Sequence, residues 1–271
     1  MTASDFDREL DALYARLRRD AAFTSKDYKH LYEITGKMMQ ERYGAKSDFN
    51  YCSIPSISAV VLDMARQIAP CRILNVGMGG YPFVDIELKK RGFSVTGVEY
   101  SESLTALARD VSLHQGSEVQ GIVADGVNLP FGDASFEACV CSETVEHVPD
   151  DAAVIREIYR VLKPGAVLLF TVPGILSLSE LPKRVVQYFR NTSFITHPTH
   201  LREYTYFSAR RLVRDYFTIE HWHNVPFVTE SFRTMPYEKL LSVLVGLPIL
   251  KHFSLSVAFV LKRRDRVRNC P

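Results

Sequence analysis

Apolar positions recur along this chain with two different periods. From residue 72 short apolar runs alternate with amphipathic stretches: RILNV, FSVTGVEY, EVQGIVA, FEACVCS and AVLLFTV. Short strand-like runs separated by helical patterns predict parallel pairing through crossover helices, hence a doubly wound α/β sheet. The segment AAVIREIYRVLKPG carries an apolar stripe at helical spacing and a Pro-Gly stop, so a helix leads into the fifth strand. Beyond residue 173 follow an irregular amphipathic segment, a helix near FSARRLVRDY, a strand at FTIEHWHNV, an insertion and a last apolar strand, LSVAFVL. Residues 1–70 read as helical, with apolar spacing in FDRELDALYARL and ISAVVLDMARQI on either side of the aromatic-rich YKHLYEITGKMMQERYGAKSDFNY. The expected division is a helical N-terminal cap over 1–70 and an α/β domain over 71–271, with substrate-covering insertions near 173–205 and 224–253.

Composition narrows the class. With 271 residues, 46% hydrophobic and 24% charged, the chain is expected to be globular rather than disordered or fibrous. A net charge of +2 is too small for a dedicated nucleic-acid binder, and the basic run KRRDRVR reads as a solvated tail. The five cysteines form no CxxC pair and no even framework, which fits reduced thiols and indicates neither a zinc ribbon nor a disulfide scaffold. The start, MTASDFDREL, lacks an apolar core, so a cytoplasmic location is expected. LLSVLVGLPIL, Leu240 to Leu250, is too short to span a bilayer and contains Pro248, although it suits contact with a membrane surface.

The candidate chemistry sits at strand ends. RILNVGMGGYP is a strand running into a glycine turn, where backbone amides can approach a ligand. Glu99 ends the next strand about twenty residues on, placed to accept both hydroxyls of a ribose. Asp125 follows the third strand, within reach of an adenine amino group, and Tyr100, Gly126 and Ser142 belong to the same strand ends. A dinucleotide fingerprint wants a third glycine where Pro82 stands, which disfavours a pyrophosphate. The arrangement instead resembles the class I S-adenosylmethionine-dependent methyltransferases over residues 72 to 172, with NVGMGGY as the first motif and Asn75 and Tyr81 as departures. That resemblance implies a Rossmann-like sheet of seven mostly parallel strands with an antiparallel last strand. It also implies that Gly77, Gly79 and Gly80 approach the methionine part of the cofactor, Glu99 the ribose and Asp125 the adenine.

CSETVEHVPD follows the fourth strand. Were SETVEHV a helical turn, Glu143, Glu146 and His147 would stand at i, i+3 and i+4 on one face, a plausible divalent-metal site beside the cofactor. A solvated turn capped by Pro149 is the alternative. The later segment HPTHLREYTYFSARRL brings His197 and His200 toward the same edge. Here ExxEH with a later histidine before an aromatic-Thr pair resembles two groups of metal-dependent O-methyltransferases, the ubiquinone-pathway enzymes and the small-RNA 3′-terminal 2′-O-methyltransferases. The resemblance assigns Glu143, Glu146, His147 and His200 to the metal, with His147 or His200 as general base if not a ligand. Two carboxylates with two imidazoles suit manganese, iron, cobalt or zinc at least as well as magnesium, so the ion stays open.

The acceptor is less legible. Tyr28, Tyr32, Tyr43 and Tyr51 suit either a lid or a core. ILSLSELPKRVVQYFRN, with Lys183, Arg184 and Arg190, suits a membrane-interface or lipid-substrate helix and equally an amphipathic helix packed on the sheet. Three functions therefore stand at this point: an O-methyltransferase for a hydroxyl of a phenol, a sugar or a lipid-linked intermediate, an RNA 2′-O-methyltransferase, and a cofactor-binding protein without catalysis. The modest charge and the lack of a separate RNA-binding module favour the first, and the oligomeric state stays open.

Overall fold

The apolar runs become the strands of one sheet: β1 (Arg72–Val76), β2 (Ser94–Glu99), β3 (Gln120–Val123), β4 (Phe136–Ser142), β5 (Leu162–Pro173), β6 (Phe217–Val225) and β7 (Ser256–Arg263). Their order is β3-β2-β1-β4-β5-β7-β6. β1 to β5 pair in parallel, while β7 runs antiparallel to both β5 and β6. This is the mostly parallel, Rossmann-like sheet that the strand pattern and the resemblance led us to expect. The computed structural model describes residues 8–14, 16, 25–44, 55–174, 199–225 and 256–267. Tyr51, the segment ILSLSELPKRVVQYFRN, His197 and LLSVLVGLPIL lie outside the described residues.

Alternation along each strand builds two core layers. Leu74, Cys139, Leu168 and Phe170 face the layer covered by α5 (Asp151–Val161) and α6 (Tyr206–Val213). Their neighbours Ile73, Ala138, Val140 and Leu169 face the opposite layer, covered by α2 (Pro55–Met64) and α3 (Phe83–Lys90). Helices on both faces explain why these strands read as nearly continuous apolar runs. Helix α5 starts on Asp150, whose carboxylate accepts from the Ala153 N–H at 2.8 Å, and ends at Val161, with Pro164 and Gly165 already in β5. Cys71, Cys139 and Cys141 are free thiols. No described helix is long and apolar enough to cross a membrane.

At the carboxyl edge, α1 (Ser25–Arg42) lies against α4 (Glu102–His114). Glu33 of α1 accepts from the N–H groups of Glu102 at 2.6 Å and Ser103 at 3.0 Å and from the Ser103 hydroxyl at 2.6 Å. A carboxylate on exposed amides at a helix N-terminus is a favourable charge–dipole contact. Gly36 allows the approach, since a Cβ there would lie 2.7 Å from Ser103 Cβ and 2.8 Å from the Leu104 nitrogen. Gly36→Ala is therefore expected to lower stability by about 1–3 kcal/mol through overpacking, read as a lower denaturation midpoint. An unchanged midpoint would mean that α1 does not rest on α4.

Candidate cofactor crevice and metal cluster

The turn after β1 is shaped by glycine. Gly77 and Gly79 have φ of +82° and +67°, a region that costs other residues strain. A Cβ on Gly77 would overlap the hydroxyl and methyl of Thr144. That hydroxyl is 3.1 Å from the Val76 carbonyl and 3.0 Å from the Ser142 carbonyl, so it ties the ends of β1 and β4 together. The N–H groups of Gly77 and Met78 both donate to the Val98 carbonyl, at 2.8 and 3.1 Å. A Cβ on Gly80 would sit 2.9 Å from Leu107 Cδ2, so this glycine also lets the turn settle on α4.

Glu99 is buried at the end of β2. Its Oε2 accepts from the Gly79 N–H at 3.1 Å, and its Oε1 from the N–H groups of Tyr100 at 2.8 Å and Ser101 at 3.1 Å. A carboxylate has about four acceptor sites, so these bonds fix its aim and leave capacity for a hydroxyl. Asp125 Oδ1 accepts from the Val127 N–H at 3.1 Å. Asn75, Gly77, Gly79, Gly80, Glu99, Tyr100, Asp125, Gly126 and Ser142 all line one cavity of about 750 Å³, within the range of small-molecule sites. The structure brings the expected cofactor residues to one crevice. Tyr28 and Tyr32 of α1 line it too.

The sequence reading missed Asp85. This carboxylate is 1% exposed, and its Oδ2 accepts from Asn75 Nδ2 at 2.7 Å. Its Oδ1 has no hydrogen-bond partner among the described residues, and burial pushes its pKa up to about 7. A signal was present, because Asp85 falls three residues before the buried Leu88, on the apolar face of α3.

The ExxEH segment differs from the expected helical turn. Glu143 has φ +49°, and only Val145–His147 form a 3₁₀ turn, so Glu143, Glu146 and His147 do not share a helical face. Glu143 instead accepts from Thr171 Oγ1 at 2.9 Å and from Ser256 Oγ at 3.2 Å, and burial pushes its pKa up to about 7. Glu146 is fully buried, and neither of its carboxylate oxygens has a hydrogen-bond partner among the described residues. Burial first, and the nearby Glu143 second, push its pKa well up. His147 Nε2 lies 3.7 Å from Glu146 Oε1, and the rings of His147 and His200 have centroids 4.9 Å apart. Glu146, His147 and His200 each offer a ligand atom, all within 4.8 Å of one another, and Glu143 stands outside this set. A buried carboxylate without a partner is costly, and a cation beside two imidazole nitrogens would offset that cost, so the donor set fits a divalent ion.

The cluster is braced from one side. Nδ1 of His147 is 3.2 Å from the Thr199 carbonyl, the Leu201 N–H donates to the Glu146 carbonyl at 2.8 Å, and Arg202 donates to the carbonyls of Val148 and Pro149 at 2.8 Å each. Tyr204 donates to Asp151 at 2.7 Å. These contacts between residues 199–204 and 146–151 bring His200 beside His147.

Asp85, Glu99, Glu143 and Glu146 are all shifted upward, with burial as the largest cause. A carboxyl that holds its proton more tightly when folded contributes stability below its unfolded pKa, and that contribution is lost as pH rises through the folded value. The ligand-free protein in chelator is thus expected to lose stability between about pH 4 and 7. Carboxylates shifted downward, such as Glu33 and Glu157, act mainly below that window. A denaturation midpoint that rises steadily from pH 5 to 7 would contradict this.

A sheet in this order, with a glycine turn and an acidic strand end around a nucleoside-sized crevice, defines the class I S-adenosylmethionine-dependent methyltransferase fold. Residues 74–170 match the family model described as a methyltransferase domain. Over 112 residues the chain is 34% identical to a ubiquinone biosynthesis O-methyltransferase of Pseudomonas putida (strain W619), covering 41% of this chain and 47% of that protein. A relative of the same description from Xanthomonas axonopodis pv. citri (strain 306) is 36% identical over 104 residues, covering 38% and 43%. The chain thus matches less than half the length of these relatives. Among solved structures, a protein of Pyrococcus horikoshii OT3 superposes with a TM-score of 0.58 at 19% identity, covering 85% of this chain and 98% of that one. The cyclase SpnF does so with a TM-score of 0.60 at 18% identity, covering 90% and 98%. At such identities these structures establish the fold alone.

Proposed function

We propose that this protein is a divalent-metal-assisted O-methyltransferase acting on a hydroxyl of a small molecule: a phenol, a sugar or a lipid-linked intermediate. The observation that carries the metal reading is Glu146, a fully buried carboxylate with both oxygens unpartnered among the described residues, beside His147 and His200 and on the wall of the cofactor cavity. The ubiquinone biosynthesis O-methyltransferases matched over the same stretch support a hydroxyl as acceptor. Tyr14, Tyr28 and Tyr32 on the cavity wall suit a planar or apolar acceptor body.

When bound, S-adenosylmethionine supplies a methyl group on a good sulfonium leaving group, and the divalent ion supplies positive charge that lowers the pKa of an acceptor hydroxyl. The chain's own residues do the rest. Glu99 accepts from the ribose hydroxyls and Asp125 from the adenine amino group. Glu146, His147 and His200 would hold the ion, and whichever of the two histidines is not a ligand would take the acceptor's proton. The tyrosines and α1 exclude water from the crevice.

SpnF, a cyclase by description, shares this fold, so a role without methyl transfer is the second reading. Calorimetry with S-adenosylmethionine, followed by methyl-transfer assays on a panel of phenols and sugars with and without chelator, decides between them. We expect cofactor binding and chelator-sensitive transfer. Absence of cofactor binding would remove the enzyme reading, and full activity in excess chelator would remove the metal.

A further inference from the structure

Asp85 is a buried carboxylate on the cavity wall that neither the cofactor's nucleoside contacts nor the metal cluster employs, and unlike Glu143, whose two oxygens both accept hydrogen bonds, it keeps one oxygen without a partner among the described residues. It enters the crevice from the first turn of α3, beside the end of β1, where the glycine turn begins. One of its oxygens is fixed by Asn75, and the other is buried with no partner among the described residues. Asn75 itself is 5% exposed and neutral, so nothing in the pair balances the charge. Glu99 and Asp125 at the ends of the next two strands are placed for the ribose and adenine, which puts the methionyl end of the cofactor toward β1 and its turn. That end carries an ammonium group with three donors.

Resting on the cofactor reading above, we infer that Asp85 is the counter-charge for the methionyl ammonium of S-adenosylmethionine, with Asn75 holding the carboxylate in position. The hydrogen bond from Asn75 orients one oxygen and leaves the other to accept from the ligand. A charge-assisted bond in a site shielded from water is stronger than the same bond in solvent. Burial is the largest cause of the upward shift of the Asp85 pKa, and a cation against the carboxylate would oppose that shift.

The test compares two ligands on three proteins by calorimetry. S-adenosylhomocysteine carries the ammonium, and 5′-methylthioadenosine keeps the nucleoside but lacks the amino-acid end. Asp85→Asn is expected to weaken S-adenosylhomocysteine about ten- to a hundredfold and to leave 5′-methylthioadenosine within about twofold. The exchanged pair, Asn75→Asp with Asp85→Asn, restores one carboxylate and is expected to recover much of the lost affinity. Thermal melts establish that each variant is folded. Equal loss for both ligands, or no loss for S-adenosylhomocysteine, would overturn the assignment and leave Asp85 as a brace for the turn. Failure of the wild-type protein to bind either ligand would instead sink the cofactor reading on which it rests.

Discussion

Glu146→Gln is expected to weaken divalent-ion binding on the order of a hundredfold or more and to lower methyl transfer by roughly a hundred- to a thousandfold. Affinity for S-adenosylhomocysteine should change little, because Glu99 and Asp125, the residues proposed for the nucleoside, lie at other strand ends. The variant keeps the shape of the side chain and removes its charge, so the metal-free fold should become more stable above pH 7. Removing a buried charge that lacks a partner relieves a desolvation cost. A stabilised protein with a lost function is the signature of a strained binding group. Wild-type ion affinity in this variant, measured by calorimetry with manganese or zinc, would exclude Glu146 as a ligand.

Gly77→Ala should be the more damaging change to the cofactor. Holding alanine at φ +82° costs about 1–2 kcal/mol, and its methyl would meet Thr144 at a further cost of about 1–3 kcal/mol. The overlap is relieved either by shifting Thr144, which breaks its tie between the ends of β1 and β4, or by moving the turn away from β4, which displaces Gly79 from Glu99. A loss of cofactor affinity of about a hundredfold is expected from these combined costs, accompanied by a lower denaturation midpoint. Pairing it with Thr144→Ser, which removes the methyl half of the overlap, should recover part of the loss. No recovery would assign the effect to backbone strain alone.

Much of this architecture was legible because two-sided burial writes itself into sequence. Strands such as FEACVCS and AVLLFTV must be apolar on both faces when helices cover both, and such runs have few other uses. Glu99 and Asp125 were legible for a different reason, since strand ends in a doubly wound sheet define a binding edge. The geometry of ExxEH was not. Glu143 adopts a positive φ without being glycine or asparagine, held there by Thr171 and Ser256 from distant strands, and no local pattern encodes that. The brace on His147 comes from the Thr199 backbone carbonyl, which any residue could supply. Asp85 was hidden in plain composition. A charged residue in FVDIELKK is normally read as a solvated face, and only its helical phase relative to Leu88 showed otherwise.

The clasp between Glu33 and the start of α4 bears on the cavity wall as well as on packing. Helix α1 contributes Tyr28, Tyr32, Thr35 and Met39 to the same cavity that holds Gly79 and Glu99. A ligand filling that cavity would have α1 as part of its wall, and α1 is held to α4 by three hydrogen bonds made by one carboxylate. Retention of such a ligand would then depend in part on Glu33, a residue that does not itself line the cavity.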